Sequence, residues 1–167
     1  EYLIRAVPEI IKHHDNIRVL IVGDGPLRPE LEALVHSLGL DKPVMFLGWR
    51  NDSTGIINAL DLFVLASIHE GMPTAVLEAV FLGIPVVATA TGGIRELTTD
   101  RWNGFLVKPR SESRLAEKCL FVIRNPSFAD GVVRNARCQI QRYDVCETTA
   151  LLLNLYEEVL DRVRRAE

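Results

Sequence analysis

Leu62-Phe-Val-Leu-Ala66, Ser67-Ile-His-Glu-Gly-Met-Pro73, Thr74-Ala-Val-Leu-Glu-Ala-Val-Phe-Leu82, Gly83 and Ile84-Pro-Val-Val-Ala88 follow one another without a break. This stretch decides the fold. Its first segment is short, apolar and β-prone, which predicts a strand. The segment from Thr74 has helical length and meets its stop at Gly83. The last segment is again a strand, with Pro85 near its start, where a missing N–H is tolerated. Strand, helix and strand in succession make a βαβ unit with parallel strands.

The same alternation extends in both directions. Upstream, Leu3, Ile4, Val7, Ile10 and Ile11 recur at helical spacing through the first dozen residues. Ile17–Val22 predicts a strand closed by Gly23, Pro29–Leu38 a helix closed by Gly39, and Val44–Leu47 a strand closed by Gly48. Ser53–Leu60 reads as a short helix capped by Ser53 or Thr54. Downstream, a short helix over Gly93–Thr98 and a strand at Phe105–Val107 precede helices near 112–124, 127–141 and 147–164. The strands are nearly pure apolar runs, as expected where helices cover both faces. The sequence therefore predicts one α/β domain over residues 1–167: a doubly wound, Rossmann-like parallel sheet with flanking helices and a helical C-terminal tail.

Composition sets the outer limits. Of 167 residues 48% are hydrophobic and 25% charged, an ordinary globular balance. The net charge of −3 argues against general nucleic-acid binding, which needs a basic surface. Residues 1–106 carry 8 basic and 13 acidic groups, and residues 107–167 carry 11 and 9. No uncharged apolar run reaches the length of a membrane span. Cys119, Cys138 and Cys146 are odd in number and unpaired in spacing, so neither a disulfide framework nor a metal site is expected, and a cytoplasmic setting is the default. Arg162, Arg164 and Arg165 at the end of the tail allow peripheral contact with an anionic membrane, although solvated helix-end charges explain them more simply.

In doubly wound folds ligands sit beyond the carboxyl ends of the strands. That points to the loops Gly23–Pro26, Gly48–Asp52, Ser67–Pro73 and Thr89–Gly93. The third is the most informative. A helix start following a loop with glycine presents free N–H groups and a positive dipole end, suited to a phosphate. Glu70 precedes that helix. Glu78, the only charge between Glu70 and Arg95, lies in a helix otherwise apolar on all sides, and is expected to be buried. Ionised carboxylates only accept hydrogen bonds, so hydroxyl groups of a sugar or ribose are fitting partners. A phosphate site flanked by two such groups suits a sugar nucleotide.

The order of motifs resembles the retaining glycosyltransferases of group 1. Glu70 and Glu78, with seven residues between them, match the family's Glu-x7-Glu signature. Ile21-Val-Gly-Asp-Gly-Pro26, Val44-Met-Phe-Leu-Gly48, Gly92-Gly93 with Glu96, Asn103-Gly-Phe-Leu-Val107 and Asn154-Leu-Tyr-Glu-Glu-Val-Leu160 match its other segments in order. The resemblance implies the C-terminal, donor-binding half of a two-domain GT-B enzyme. It assigns Glu70 to the donor sugar as the catalytic candidate, and Gly71, Met72, Pro73 (through its carbonyl) and Thr74 to sugar hydroxyls and phosphate. Glu78 is assigned to the ribose, Leu47 and Gly48 to the nucleobase with Trp49 and Arg50 nearby, and Gly23, Gly25, Gly92 and Gly93 to loops lining the donor. A UDP-, GDP- or ADP-sugar is the implied substrate, with no metal or other cofactor.

The resemblance also has a gap. The family pattern opens with a strand and a Gly-Arg-x4-Lys-Gly loop, and residue 1 stands after them. The first strand, two phosphate-binding cations and the acceptor-binding N-terminal domain are thus expected outside these 167 residues. This chain alone is expected to be inactive and to bind donor weakly, and the strands beside the gap to show unpaired edges. Two other readings stay open: a nucleotide-binding regulatory module without catalysis, and a sugar-nucleotide epimerase of GT-B architecture. Trp49 either stacks on a base or covers the sheet edge, and His69 either donates to phosphate or is solvated.

Overall fold

A computed structural model describes residues 1–166. The elements in order are α1 (Tyr2–His13), β1 (Val19–Val22), α2 (Arg28–Ser37), β2 (Val44–Gly48), α3 (Ser53–Asn58), β3 (Phe63–Leu65) and α4 (Thr74–Leu82). Then come β4 (Val86–Thr89), α5 (Ile94–Leu97), β5 (Phe105–Val107), α6 (Glu112–Arg124), α7 (Pro126–Ile140), a 3-10 turn (Gln141–Tyr143) and α8 (Val145–Ala166). All strand pairs are parallel.

The sheet is in two parts, β1-β2 and β3-β4-β5. β4 is central in the second part and buried throughout, and its side chains divide between the faces. Val87 joins a core with Phe105, Leu115, Cys119 and Val132 beneath α1, α6 and α7. Val86 and Ala88 join Ile57, Val76, Ala79 and Ile94 beneath α3, α4 and α5. Helices on both faces of a parallel sheet are the doubly wound arrangement that the sequence predicts. A third core, built from Ile4, Val7, Val35, Leu40 and Val44, backs β1-β2. α1 links the parts, with Ile4 and Val7 in one core and Ala6 and Ile10 in another.

β1 and β3 each pair on one side only. Their residues show it: β3 is half-buried along its length, where β4 beside it is buried throughout. Ile17 ahead of β1 and Leu62, Val64 and Ala66 along β3 pack against the same core cluster. β2 and β5 also pair on one side only, so every described strand except β4 carries an open edge.

Several boundaries differ from the sequence reading, each for a local reason. β1 starts at Val19, not Ile17, because pairing begins where the Val19 N–H reaches the Pro43 carbonyl at 2.7 Å. β4 starts at Val86, not Ile84. Pro85 has no N–H to give and contributes only its carbonyl, which accepts from the Phe63 N–H at 2.9 Å. The N-cap of α3 is Asp52 rather than Ser53 or Thr54, and Asp52 does not cap. Its carboxylate is taken by Arg50, whose Nε and Nη2 lie 2.8 and 2.6 Å from the two oxygens. α8 runs from Val145 and packs chiefly on the preceding turn. Leu152, Tyr156, Val159 and Val163 recur along it, all exposed. No described helix is long and apolar enough to cross a membrane.

The cysteines give a first check of this packing. Cys119 is 1% exposed in the α6 face of the core, and burial pushes its thiol up to about 12, while Cys138 and Cys146 are exposed. Thiolate is the reactive form. In the native protein a thiol reagent at neutral pH therefore labels Cys138 and Cys146 and spares Cys119 until denaturant is added. Mass spectrometry of the labelled peptides reads this directly, and native labelling of Cys119 would contradict the core assignment.

Candidate functional site

The residues singled out in the sequence gather at the carboxyl ends of the strands in two groups. The first lies beyond β1 and β2. The Gly23 N–H donates to the Gly48 carbonyl at 2.8 Å, tying the glycine loop to the end of β2. Both glycines sit at positive φ, +114° and +64°, which other residues adopt only with strain. Gly25 follows in the same loop, its N–H bonded to Asp24 Oδ1 at 2.8 Å. Leu47 is half-buried and Gly48 buried at the strand end.

The cations of this group are already engaged. Arg28 reaches Glu32 at 2.8 Å and Asp24 at 3.2 Å, and its guanidinium lies 5.9 Å from the centre of the Phe46 ring. Arg50 forms the two-pronged pair with Asp52, and its hydrogen bonds hold the Asp52 carboxyl below the usual carboxylate range. Trp49 is 78% exposed, with Nε1 donating to Asn51 Oδ1 at 3.1 Å, so it does not cover the sheet edge. A flat aromatic face stands open beside Gly48.

The second group lies beyond β3 and β4. Pro73 is the N-cap of α4 and has no capping side chain. The Pro73 carbonyl accepts from the Val76 and Leu77 N–H groups at 3.0 and 3.4 Å, leaving the Thr74 and Ala75 N–H groups at the helix mouth. Glu70 is half-buried just ahead of it, and Gly71 and Met72 are exposed. The Thr89–Gly93 segment folds directly against this loop. The Gly93 N–H donates to the Gly71 carbonyl at 3.0 Å. A Cβ on Gly92 would run into the Glu70 carbonyl and one on Gly93 into the Gly71 carbonyl, so only glycine allows the approach. Gly92 and Gly93 thus bring their backbone directly against the Glu70 loop.

Glu78 corrects one expectation: it is half-buried, not buried. Thr74, Glu78 and Phe81 share one face of α4, at spacings of four and three residues, and Thr74 and Phe81 are exposed. Apolar composition all round predicts burial only where something covers every face, and this face is uncovered. The carboxylate therefore stands one helical turn below the open N–H groups. His69 is exposed. Thr89 and Thr91 escaped the sequence reading. Thr89 Oγ1 donates to the Ser67 carbonyl, and Thr91 Oγ1 to the Ile68 carbonyl at 3.0 Å. Each bond spans more than twenty residues, and only the Thr-Ala-Thr-Gly-Gly run at a strand end hinted at it.

A groove also lies between α1 and α6, lined by Arg5, Glu9, His13, Glu112 and Arg124. It alternates charges of both signs and contains none of the candidate residues. Among the described residues no three His, Cys, Asp or Glu side chains group as a metal site.

Comparisons with known proteins converge. The family model of the group 1 glycosyl transferases matches residues 1–125. A glycosyltransferase of Methanocaldococcus jannaschii is 32% identical over 168 residues, 99% of this chain and 43% of that protein. The 2-deoxystreptamine glucosyltransferase of Streptomyces kanamyceticus is 28% identical across 98% of this chain and 43% of its own length. The crystal structure of Anabaena HepE with UDP-glucose superposes with a TM-score of 0.87 at 29% identity, over 94% of this chain and 44% of that one. The chain thus spans less than half the length of these relatives.

Proposed function

The chain belongs to the group 1 glycosyl transferases, and from that premise we propose that it is the donor-binding half of a retaining enzyme. In this reading it holds a nucleotide-diphosphate sugar for transfer to an acceptor carried by the rest of a longer protein. The carrying observation is the locked pair of loops, 67–73 and 89–93, around the uncapped start of α4. The Thr74 and Ala75 N–H groups take a phosphate, where the helix dipole favours negative charge. Glu78 accepts from the ribose hydroxyls. Glu70 accepts from the transferred sugar and is the catalytic candidate, with Gly71, Met72 and Pro73 completing the backbone around it. Leu47, Gly48 and Arg50 face the nucleobase, and Gly23 and Gly25 line the same side. The reading invokes no metal.

Arg28 and Arg50 are paired with carboxylates, which leaves Arg95, its Nε on the Ala90 carbonyl, as a cation beside the 89–93 loop, and the proposal places further cations for a diphosphate outside these residues. The open edges of β1 and β3 and the apolar face of α8 are surfaces for the remainder of such an enzyme to cover. UDP-glucose in the Anabaena structure and the glucosyl transfer named for the Streptomyces relative support a hexose donor.

Calorimetric titration with UDP, GDP, ADP and their sugar conjugates tests the assignment. Glu78→Ala is expected to weaken the free nucleotide and its conjugate alike, by about tenfold or more, as loss of a hydrogen bond to a charged group implies. Glu70→Ala is expected to remove mainly the extra affinity that the sugar adds. Equal losses on free nucleotide from both changes would overturn these roles.

A further inference from the structure

We propose that Thr91, with Thr89 behind it, is a positioning residue that sets the aim of Glu70 by holding the backbone ahead of it, at Ile68 and Ser67, while the Gly93 N–H holds Gly71 beyond it. The inference rests on the donor-site reading above.

The 67–73 loop has little apolar anchorage of its own. Ile68 and Met72 are 39% and 48% exposed, and only Pro73 is buried. Among the described residues, no side chain of the loop makes a hydrogen bond within the protein. What fixes it is a row of bonds from 89–93 to its carbonyls. Thr89 donates to Ser67, Thr91 to Ile68 at 3.0 Å, and the Gly93 N–H to Gly71 at 3.0 Å. Glu70 falls between the last two, two residues after one anchor and one before the other, with Gly92 against its carbonyl.

The donor segment is itself held fast. The Ala90 N–H bonds to the Val107 carbonyl of β5 at 2.8 Å, Arg95 Nε to the Ala90 carbonyl at 2.7 Å, and the Thr91 N–H to the Thr89 carbonyl at 2.8 Å. Thr89 is 3% exposed, so its hydroxyl belongs to the core. Thr91 is half-buried at the loop surface, where its methyl and hydroxyl groups can be separated by mutation without opening a cavity. A carboxylate that contacts the reacting sugar must be held to within a fraction of an ångström by the residues around it. A loop anchored by three hydrogen bonds and almost no apolar burial loses that definition when one bond goes.

The test uses the full-length protein, UDP-glucose with GDP- and ADP-glucose beside it, and the matching free nucleotides. Thr91→Val keeps the shape and removes the donor; Thr91→Ser keeps the donor. The expected result for Thr91→Val is a fall in kcat/KM for the nucleotide sugar of about fivefold to tenfold, the value of one hydrogen bond. Affinity for the free nucleotide stays within about twofold, because Glu78 and the α4 mouth are untouched. Thr91→Ser restores the wild-type value. A Thr91→Val protein with unchanged kcat/KM, an equal loss on free nucleotide and conjugate, or a Thr91→Ser protein as impaired as Thr91→Val would each overturn the inference. Thr91→Ala reads the same quantity if the valine variant fails to fold. A wild-type protein that takes none of the nucleotide sugars would overturn the donor-site reading, and the inference with it.

Discussion

Gly92→Ala is expected to abolish nucleotide-sugar binding and to cost the fold about 2–5 kcal/mol, the sum of two separate penalties. The first is conformational. Gly92 sits at φ +47°, a left-handed position where a Cβ clashes with its own backbone. The second is steric. The new methyl group meets the Glu70 carbonyl, a backbone atom that no rotamer change can move aside. One of the two loops must retreat, and with it go the Gly93–Gly71 hydrogen bond and the placement of Glu70. Urea unfolding measures the stability loss and calorimetry the lost binding. A variant that kept wild-type affinity would show that the 89–93 segment plays no part in the site.

Phe105→Ala is the largest expected loss from the core alone, about 3–5 kcal/mol. Phe105 is fully buried on β5, and its ring lies 6.1 Å from Phe121 of α6 and 6.2 Å from Phe128 of α7. Arg101, itself at positive φ, covers the outer side of that cluster with its guanidinium 4.7 Å from the Phe121 ring centre. Truncation leaves a cavity beneath two helices that are pinned elsewhere and cannot close over it. Against a typical domain stability of about 5–15 kcal/mol this is a large fraction. The measurement is the shift of the denaturant midpoint at unchanged slope, and a shift worth less than about 1 kcal/mol would mean that the cluster repacks.

Much of this architecture was legible in the chain because each strand is a short apolar run and α2 and α4 stop at glycines. α4 ends at Gly83 in the left-handed conformation, and Gly39, at φ +67°, directly follows the end of α2 at Leu38. The errors at β1, β4 and α3 come from single contacts that periodicity does not encode: the Val19–Pro43 bond, the missing donor of Pro85, and the capture of Asp52 by Arg50. The candidate site was legible in its geometry where that depends on residue types in one local run, Glu70 to Glu78. It was not legible where it depends on contact across the fold. Burial of Glu78 cannot be read from α4 alone, because the helix is apolar around the Thr74–Glu78–Phe81 face and nothing in its own sequence says that this face is uncovered in space. The hydroxyls of Thr89 and Thr91 act on carbonyls 22 and 23 residues away, and threonines at a strand end carry no mark of that.

The central claim is that α4 and the two loops at its start form a donor site. A crystal structure of the full-length protein with the nucleotide sugar it binds best is the most direct measurement. The account predicts a phosphate on the Thr74 and Ala75 N–H groups, ribose hydroxyls on Glu78 and sugar hydroxyls on Glu70. A ligand seated instead in the groove between α1 and α6, with Glu70 and Glu78 untouched, would contradict it.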